Sequence, residues 1–343
     1  MDILWDYFFW ISIGAATIRI STPILFSALG EIIAEDAGFL NIGIEGMMTM
    51  GAWGGFMGAY FFGGVWAGVL TGAGIGFLIG LLSGWLCIGR GADQIITGII
   101  INIFCLGITS LTYKKTFEKM TDLPEVESFM PFQVPFLSDL DFIGPILFRH
   151  IPLVYFAFIL VPVFWVLIFK VSWGLKLRAV GEHPGAADTA GVNVWRIRYL
   201  AVGVGGAMAA LGGATLSIGQ LNIFMDNMTS GRGFIALAVV VFGGWNPWKV
   251  LGACLLFGFA EGLQLRLQAL NVPVPHDFLL MIPYVLTIVV LVGGAGKAEY
   301  PAAINIPYLK KRTKGKTPSQ AVSAENGLLE AADLHHSQVG HKP

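Results

Sequence analysis

From Leu153 to Phe169 the chain has seventeen consecutive residues without a charge, close to the roughly 20 apolar residues that cross a bilayer core. A helix of that composition has nowhere polar to turn. In lipid it needs only its own backbone hydrogen bonds. Comparable stretches recur along the sequence and predict spans near 7–30, 39–62, 64–88, 93–113, 151–170, 199–219, 232–246, 248–268 and 278–296. The seventh is short and reads as a broken or re-entrant element, which is tolerated only where protein or a cavity surrounds it. Composition agrees: 13% of residues are charged, against about a quarter in a soluble domain. A barrel would show short alternating strands instead. The expected fold is an all-α polytopic integral membrane protein of about nine (8–10) helices.

Several function classes find no support. Cys87, Cys105 and Cys254 all fall in apolar segments without metal-ligand spacing, and His150, His183, His276, His335, His336 and His341 form no metal pattern. The N-terminus carries Asp2 and Asp6 rather than a basic region, which argues against a signal peptide. No HExxH or GxSxG occurs, and no catalytic residue is nominated. Gly315-Lys316-Thr317 resembles the end of a phosphate-binding loop, but Lys310 stands where that loop needs glycine and Pro318 follows. This chain is therefore not expected to hydrolyse ATP itself.

Lys and Arg counts in short loops set the expected orientation. Lys170, Lys176, Arg178, Arg196 and Arg198 mark one cytoplasmic loop, and Lys297, Lys310, Lys311, Arg312, Lys314 and Lys316 mark a cytoplasmic C-terminal flank. Counting back places Glu31–Gly38 and Arg90 inside and the N-terminus outside. Lys114, Lys115 and Lys119 dissent, because segment 114–150 then lies outside. That segment alternates Pro124, Pro131, Pro135 and Pro145 with Phe129, Phe132, Phe136 and Phe142, and reads as an ordered extracytoplasmic cap. Residues 1–308 form the membrane domain in this reading, and 309–343 a polar, unstructured tail.

Within the spans, Gly64, Gly68, Gly72, Gly76, Gly80 and Gly84 recur at every fourth position and offer a groove for close helix packing. Arg19 is read as a buried mid-span charge, with Glu45 and Glu261 similarly placed. An Arg19–Glu45 ion pair is one structural alternative. Asn41, Glu45, Asn102 and Glu261 are the candidate groups of a translocation pathway, the two amides because they suit a polar, neutral solute and the two carboxylates because a charge within a span needs protein or a water-filled path around it. Asp93 and Gln94 are placed to cap the following helix.

The stretch Lys170–Arg198 is the one hydrophilic island between long apolar segments. His183-Pro184 can start a short helix and Gly191 can end it. Small side chains between them suit insertion into a partner's cleft. An ordinary capped loop is the alternative. The run LRAVGEHPGAADTAGVNVWRIRYLAVGVGGAMAALGGA resembles the permeases of ATP-binding-cassette (ABC) importers, in particular the branched-chain amino acid and simple sugar permease family and its nucleoside-type members. STPILFSALGEIIAEDAGFLNIGIEGMMTMGA, MTSGRGFIALAVVVFGGWNP and FGFAEGLQLRLQAL extend the resemblance over about residues 17–308.

The resemblance implies a permease bundle of the type II importer kind in a bacterial cytoplasmic membrane. It implies partners: ABC ATPase subunits that bring ATP and Mg, a second permease and an extracytoplasmic solute-binding protein. Gly181, Glu182, His183, Pro184, Ala186, Ala187, Asp188, Ala190, Gly191 and Asn193 would form the coupling segment that docks on the ATPase. A nucleoside or purine base is the implied solute, with simple sugars or branched-chain amino acids as alternatives. The rival outside this class is an ion-coupled carrier using Glu45 and Glu261 as proton relays. A polytopic enzyme would need a His, Asp or Ser cluster near one membrane face, and none is evident.

Overall fold

A computed structural model describes residues 7–120, 124–133, 138, 141, 143–270, 275–283, 285–286, 288–289 and 300–308. Its first helix, α1 (Tyr7–Asp36), has 30 residues, about 45 Å at 1.5 Å per residue. It is followed by α2 (Ile44–Phe62), α3 (Val65–Gly84, continued by a π turn to Gly89) and α4 (Gln94–Phe117). A two-stranded antiparallel ribbon of β1 (Phe132–Gln133) and β2 (Arg149–His150) encloses the short α5 (Ile143–Leu147). Then come α6 (Pro152–Phe169), α7 (Ser172–Glu182), α8 (Pro184–Thr189), α9 (Val194–Ala214, continued by π turns to Leu221), α10 (Arg232–Gly243), α11 (Pro247–Ala269) and α12 (His276–Leu280).

Among the described residues six helices are long and apolar enough to cross a membrane: α1, α3, α4, α6, α9 and α11. The first eight expected spans each coincide with a helix, α2 and α10 included. About half of the ninth, 278–296, lies outside the described residues, as does all of the tail 309–343. With 12 residues, α10 reaches only about 18 Å, short of a hydrocarbon core of roughly 30 Å.

The core centres on α9, most of which is buried, whereas most of α4 is not. Lack of side-chain bulk explains why so many helices can surround it. A β-carbon on Gly80 of α3 would stand 2.5 Å from the Val202 carbonyl oxygen, and one on Gly212 of α9 2.5 Å from the Pro23 carbonyl oxygen of α1. Gly68, Gly72, Gly76 and Gly80 press against α2 or α9 in this way, while Gly64 precedes α3 and meets nothing. In lipid such close backbone approach supplies the packing attraction that water would otherwise drive.

Two expectations are corrected. Glu31–Gly38 is not a loop: α1 runs on to Asp36, and Glu31, Glu35 and Asp36 are all buried. Hydrogen-bond donors reach two of these carboxylates, Asn41 N–H at Glu31 and the Trp245 indole at Glu35. The polar island also contains more helix than its prolines and glycines suggest. α7 buries Gly174, Leu177, Val180 and Gly181, a three-to-four-residue spacing that was present in the sequence.

Candidate functional site

Between α1 and α2 the chain unwinds over residues 37–43, deep in the bundle. Backbone groups there have no water, so each needs a protein partner. Four side chains supply them. Arg198 Nε donates to the Ala37 carbonyl (3.0 Å), and Gln94 Oε1 accepts from Leu40 N–H (2.8 Å). Glu31 Oε1 accepts from Asn41 N–H (3.1 Å). Asn102 bridges the break, donating to the Ile42 carbonyl (2.9 Å) and accepting from Gly46 N–H (2.7 Å). Gly38 sits at φ +79°, a left-handed turn that a side chain would strain.

Asn102, Gln94, Glu31 and Arg198 thus brace one unwound segment from α4, α1 and α9. Asn41 lies in the break itself, buried, with Oδ1 lacking a hydrogen-bond partner; Glu31 Oε2 lacks one too. Arg198 is the residue that sequence reasoning missed. It was read as a loop charge, yet it is 1% exposed. Its spacing from Val194, Ala201, Val202 and Gly205 on the buried face of α9 was the available signal.

Glu45 holds a second junction. Its Oε1 accepts from the Thr229 hydroxyl (2.6 Å) and Gly231 N–H (2.8 Å), and its Oε2 from Gly233 N–H (2.7 Å). The carboxylate therefore caps the N-terminus of α10 across some 186 residues of sequence, where both the free N–H groups and the helix dipole favour a negative charge. Thr49 adds a hydroxyl contact to Thr229 at 3.0 Å. Glu261 forms an ion pair with Arg232, at the start of the same helix. Ser230, Arg232, Glu261 and Gln264 face a cavity of about 190 Å³ beside them.

Arg19 is the main correction. It is exposed rather than buried, and it forms no ion pair with Glu45 or any other described residue. Arg19 lies at an exposed position of α1, level with the end of α9. Its carbonyl accepts from Gln220 Nε2 (2.7 Å) at the end of α9, and its neighbours include His150 and Ile151 at the start of α6. Pro23 explains the Gln220 bond. It lacks the N–H that would reach the Arg19 carbonyl four residues back, and the amide replaces it. Above this level the N-terminal turns of α1 pack under the ribbon end, with Phe9 and Ile13 buried and Gly14 against Ile146. Here Ser12, Arg19, Ser128, Arg149, His150 and Gln220 line a cavity of about 500 Å³.

At the opposite end, α8 starts at Pro184, and Gly191 follows it at φ +83°. Glu182, His183, Gly185, Ala186, Thr189 and Ala190 are exposed, while Ala187 is buried against the bundle. The expected coupling segment therefore has an outward face that excludes Ala187. Behind it, Gly181 contacts the Asp36 carbonyl so closely that a β-carbon would overlap it. Residues 300–308 strap this junction: Ala303 N–H donates to the Gly181 carbonyl (2.8 Å) and Arg198 Nη1 to the Ile306 carbonyl (2.9 Å). Trp245, at φ +55°, donates its indole N–H to Glu35 (2.6 Å) and packs edge-on against Tyr300. The exposed α8 is thus connected through α7 and the strap to the α1–α2 break.

Residues 14–291 match the family described as branched-chain amino acid transport system / permease component. The guanosine ABC transporter permease protein NupQ of Bacillus subtilis is 38% identical over 86% of this chain and 95% of its own. The nucleoside ABC transporter permease protein NupC of Lactococcus lactis is 35% identical over 85% and 95%. TsgC13 of Haloferax volcanii, an ABC transporter permease protein provisionally named for glucose, is 38% identical over 75% and 78%.

Proposed function

The chain belongs to the family of branched-chain amino acid transport system permease components, and from that premise we propose that it carries nucleosides or purine bases into the cell. It is a multi-pass membrane protein and a transport subunit of an ABC transporter, working with ATPase partners. The substrate reading rests on one observation: similarity to a guanosine permease protein across nearly the full length of both chains. Simple sugars are the second reading, favoured by equal identity to TsgC13 over a shorter stretch.

In the proposed arrangement the membrane is a bacterial cytoplasmic one, the N-terminus and the ribbon end are outside, and the C-terminus and α8 are inside. About nine helices cross or enter the bilayer. A second permease completes the pathway, and a solute-binding protein delivers to the outer face. ATP and Mg are held by the ATPase subunits. The exposed face of α8 takes the thrust of nucleotide binding. α7 and the 300–308 strap pass it to Asp36, Arg198 and the unwound 37–43 segment. That segment can move because its hydrogen bonds are made by side chains rather than by a continuous helix. Asn102 and Glu45 hold its far end and α10 in register. Asn41 and Glu261 are the polar groups left for the solute's path.

Uptake of labelled guanosine, glucose and leucine by cells with and without this chain tests the substrate. Loss of guanosine uptake alone is the expected result. Loss of glucose uptake with guanosine untouched would transfer the assignment to sugars.

A further inference from the structure

We propose that the cavity beneath the ribbon end binds a phosphate-bearing anion. Its lining brings two guanidinium groups together from distant parts of the chain, Arg19 of α1 and Arg149 of β2, beside the imidazole of His150. Ser12, Ser128 and Gln220 add hydroxyl and amide groups, and among the described residues no carboxylate lines it. Elsewhere the chain neutralises such a cation: Arg232 has Glu261. Arg19 has no ion pair among the described residues, and Arg149 uses one nitrogen, Nη2, on the Ser138 carbonyl (3.0 Å). Among the described residues most of both donor forks has no protein partner, and the planar fork of arginine matches two phosphate oxygens at once.

The apolar part of the lining supports the same ligand. The cavity lies where α6 begins and α9 ends, beside the ribbon. Phe129, Ile151 and Val154 give it an apolar wall beside the cations, the pairing that a phosphate on a glycerol backbone presents. A volume near 500 Å³ falls in the range of small-ligand sites. The shared chemistry is a phosphate group, carried by an anionic lipid or free in solution.

The test uses the full-length chain, purified in detergent and delipidated. Native mass spectrometry measures retention of phosphatidylglycerol against phosphatidylcholine, and thermal unfolding measures protection by inorganic phosphate against chloride. Wild type should prefer at least one phosphate probe over its control. Each of Arg19→Gln and Arg149→Gln should weaken that preference about fivefold, the effect of losing one charge near a headgroup. Preference for phosphatidylglycerol without protection by phosphate identifies a lipid site; protection by phosphate identifies a site for the free anion. Should either glutamine variant fail to fold, Arg19→Lys and Arg149→Lys keep the charge but lose the fork, and must also bind more weakly. Wild type that prefers neither probe, or arginine variants that bind as wild type does, would overturn the proposal.

Discussion

Replacing Gly80 of α3 by alanine tests the packing that brings α3 against α9. Its new β-carbon would lie 2.5 Å from the Val202 carbonyl oxygen, and ordinary contact begins near 3.4 Å. The helices must therefore part by about 0.9 Å, a gap that forfeits a quarter to a half of each dispersion contact around it. Overpacking of this kind costs about 1–3 kcal/mol. Alanine also favours the helix over glycine by about 1 kcal/mol, which would blur a single measurement. Gly74, in the same helix, removes this ambiguity because a β-carbon there meets nothing within 4 Å. The propensity gain is common to both, so Gly80→Ala should be less stable than Gly74→Ala by about 1–3 kcal/mol. Reversible SDS unfolding in mixed micelles, followed by tryptophan fluorescence, reads the difference. Equal stability of the two variants would refute the claim that backbone contact, rather than helix propensity, requires Gly80.

Other expectations concern the polar junctions. Glu45→Gln replaces one of two accepting oxygens by a donor facing N–H groups, and should destabilise the chain by about 1–3 kcal/mol in the same assay; stability equal to wild type with uptake abolished would instead make Glu45 a transport group. Ala186→Trp on the exposed face of α8, or Ala190→Trp just after its end, should abolish co-purification of the ATPase while leaving the fold intact, whereas Ala187→Trp should lower stability itself; retained co-purification and transport in the first two would remove α8 from the coupling role. Burial lowers the pKa of His150 below its usual value of about 6.5, the nearby Arg19 charge lowers it further, and the Ile146 carbonyl opposes them. The folded chain therefore binds fewer protons there than the unfolded chain. Stability contributed by neutral His150 is present above pH about 6.5 and is lost as pH falls toward the lower folded value. The melting temperature should drop less on acidification in His150→Gln than in wild type, and identical slopes would contradict this.

Positions of the helices were legible because lipid makes a local demand: a run of apolar residues must satisfy its own backbone. Pro184 and Gly191 likewise marked α8 through conformational preferences written at single positions. Partners of the polar groups were not legible. Glu45 meets Gly231 and Gly233, and Asn102 meets Ile42 and Gly46, only after distant helices have packed. Arg19 was misplaced for a related reason. Hydropathy locates a span but not its depth, and α1 extends beyond the ends of α6 and α9. The break between the first two spans was legible but misplaced: Glu31–Gly38 was the expected loop, and the chain unwinds instead over 37–43, where side chains from α1, α4 and α9 meet its backbone.

ATP-dependent uptake in proteoliposomes tests the central claim most directly. The chain, its partner permease, the ATPase and the binding protein would be reconstituted together, and labelled guanosine would be followed with ATP enclosed on the α8 side. Accumulation that requires both ATP and the ATPase, and that is lost in Ala190→Trp, is the predicted result. Uptake by this chain alone, driven by an ion gradient without ATP, would contradict it.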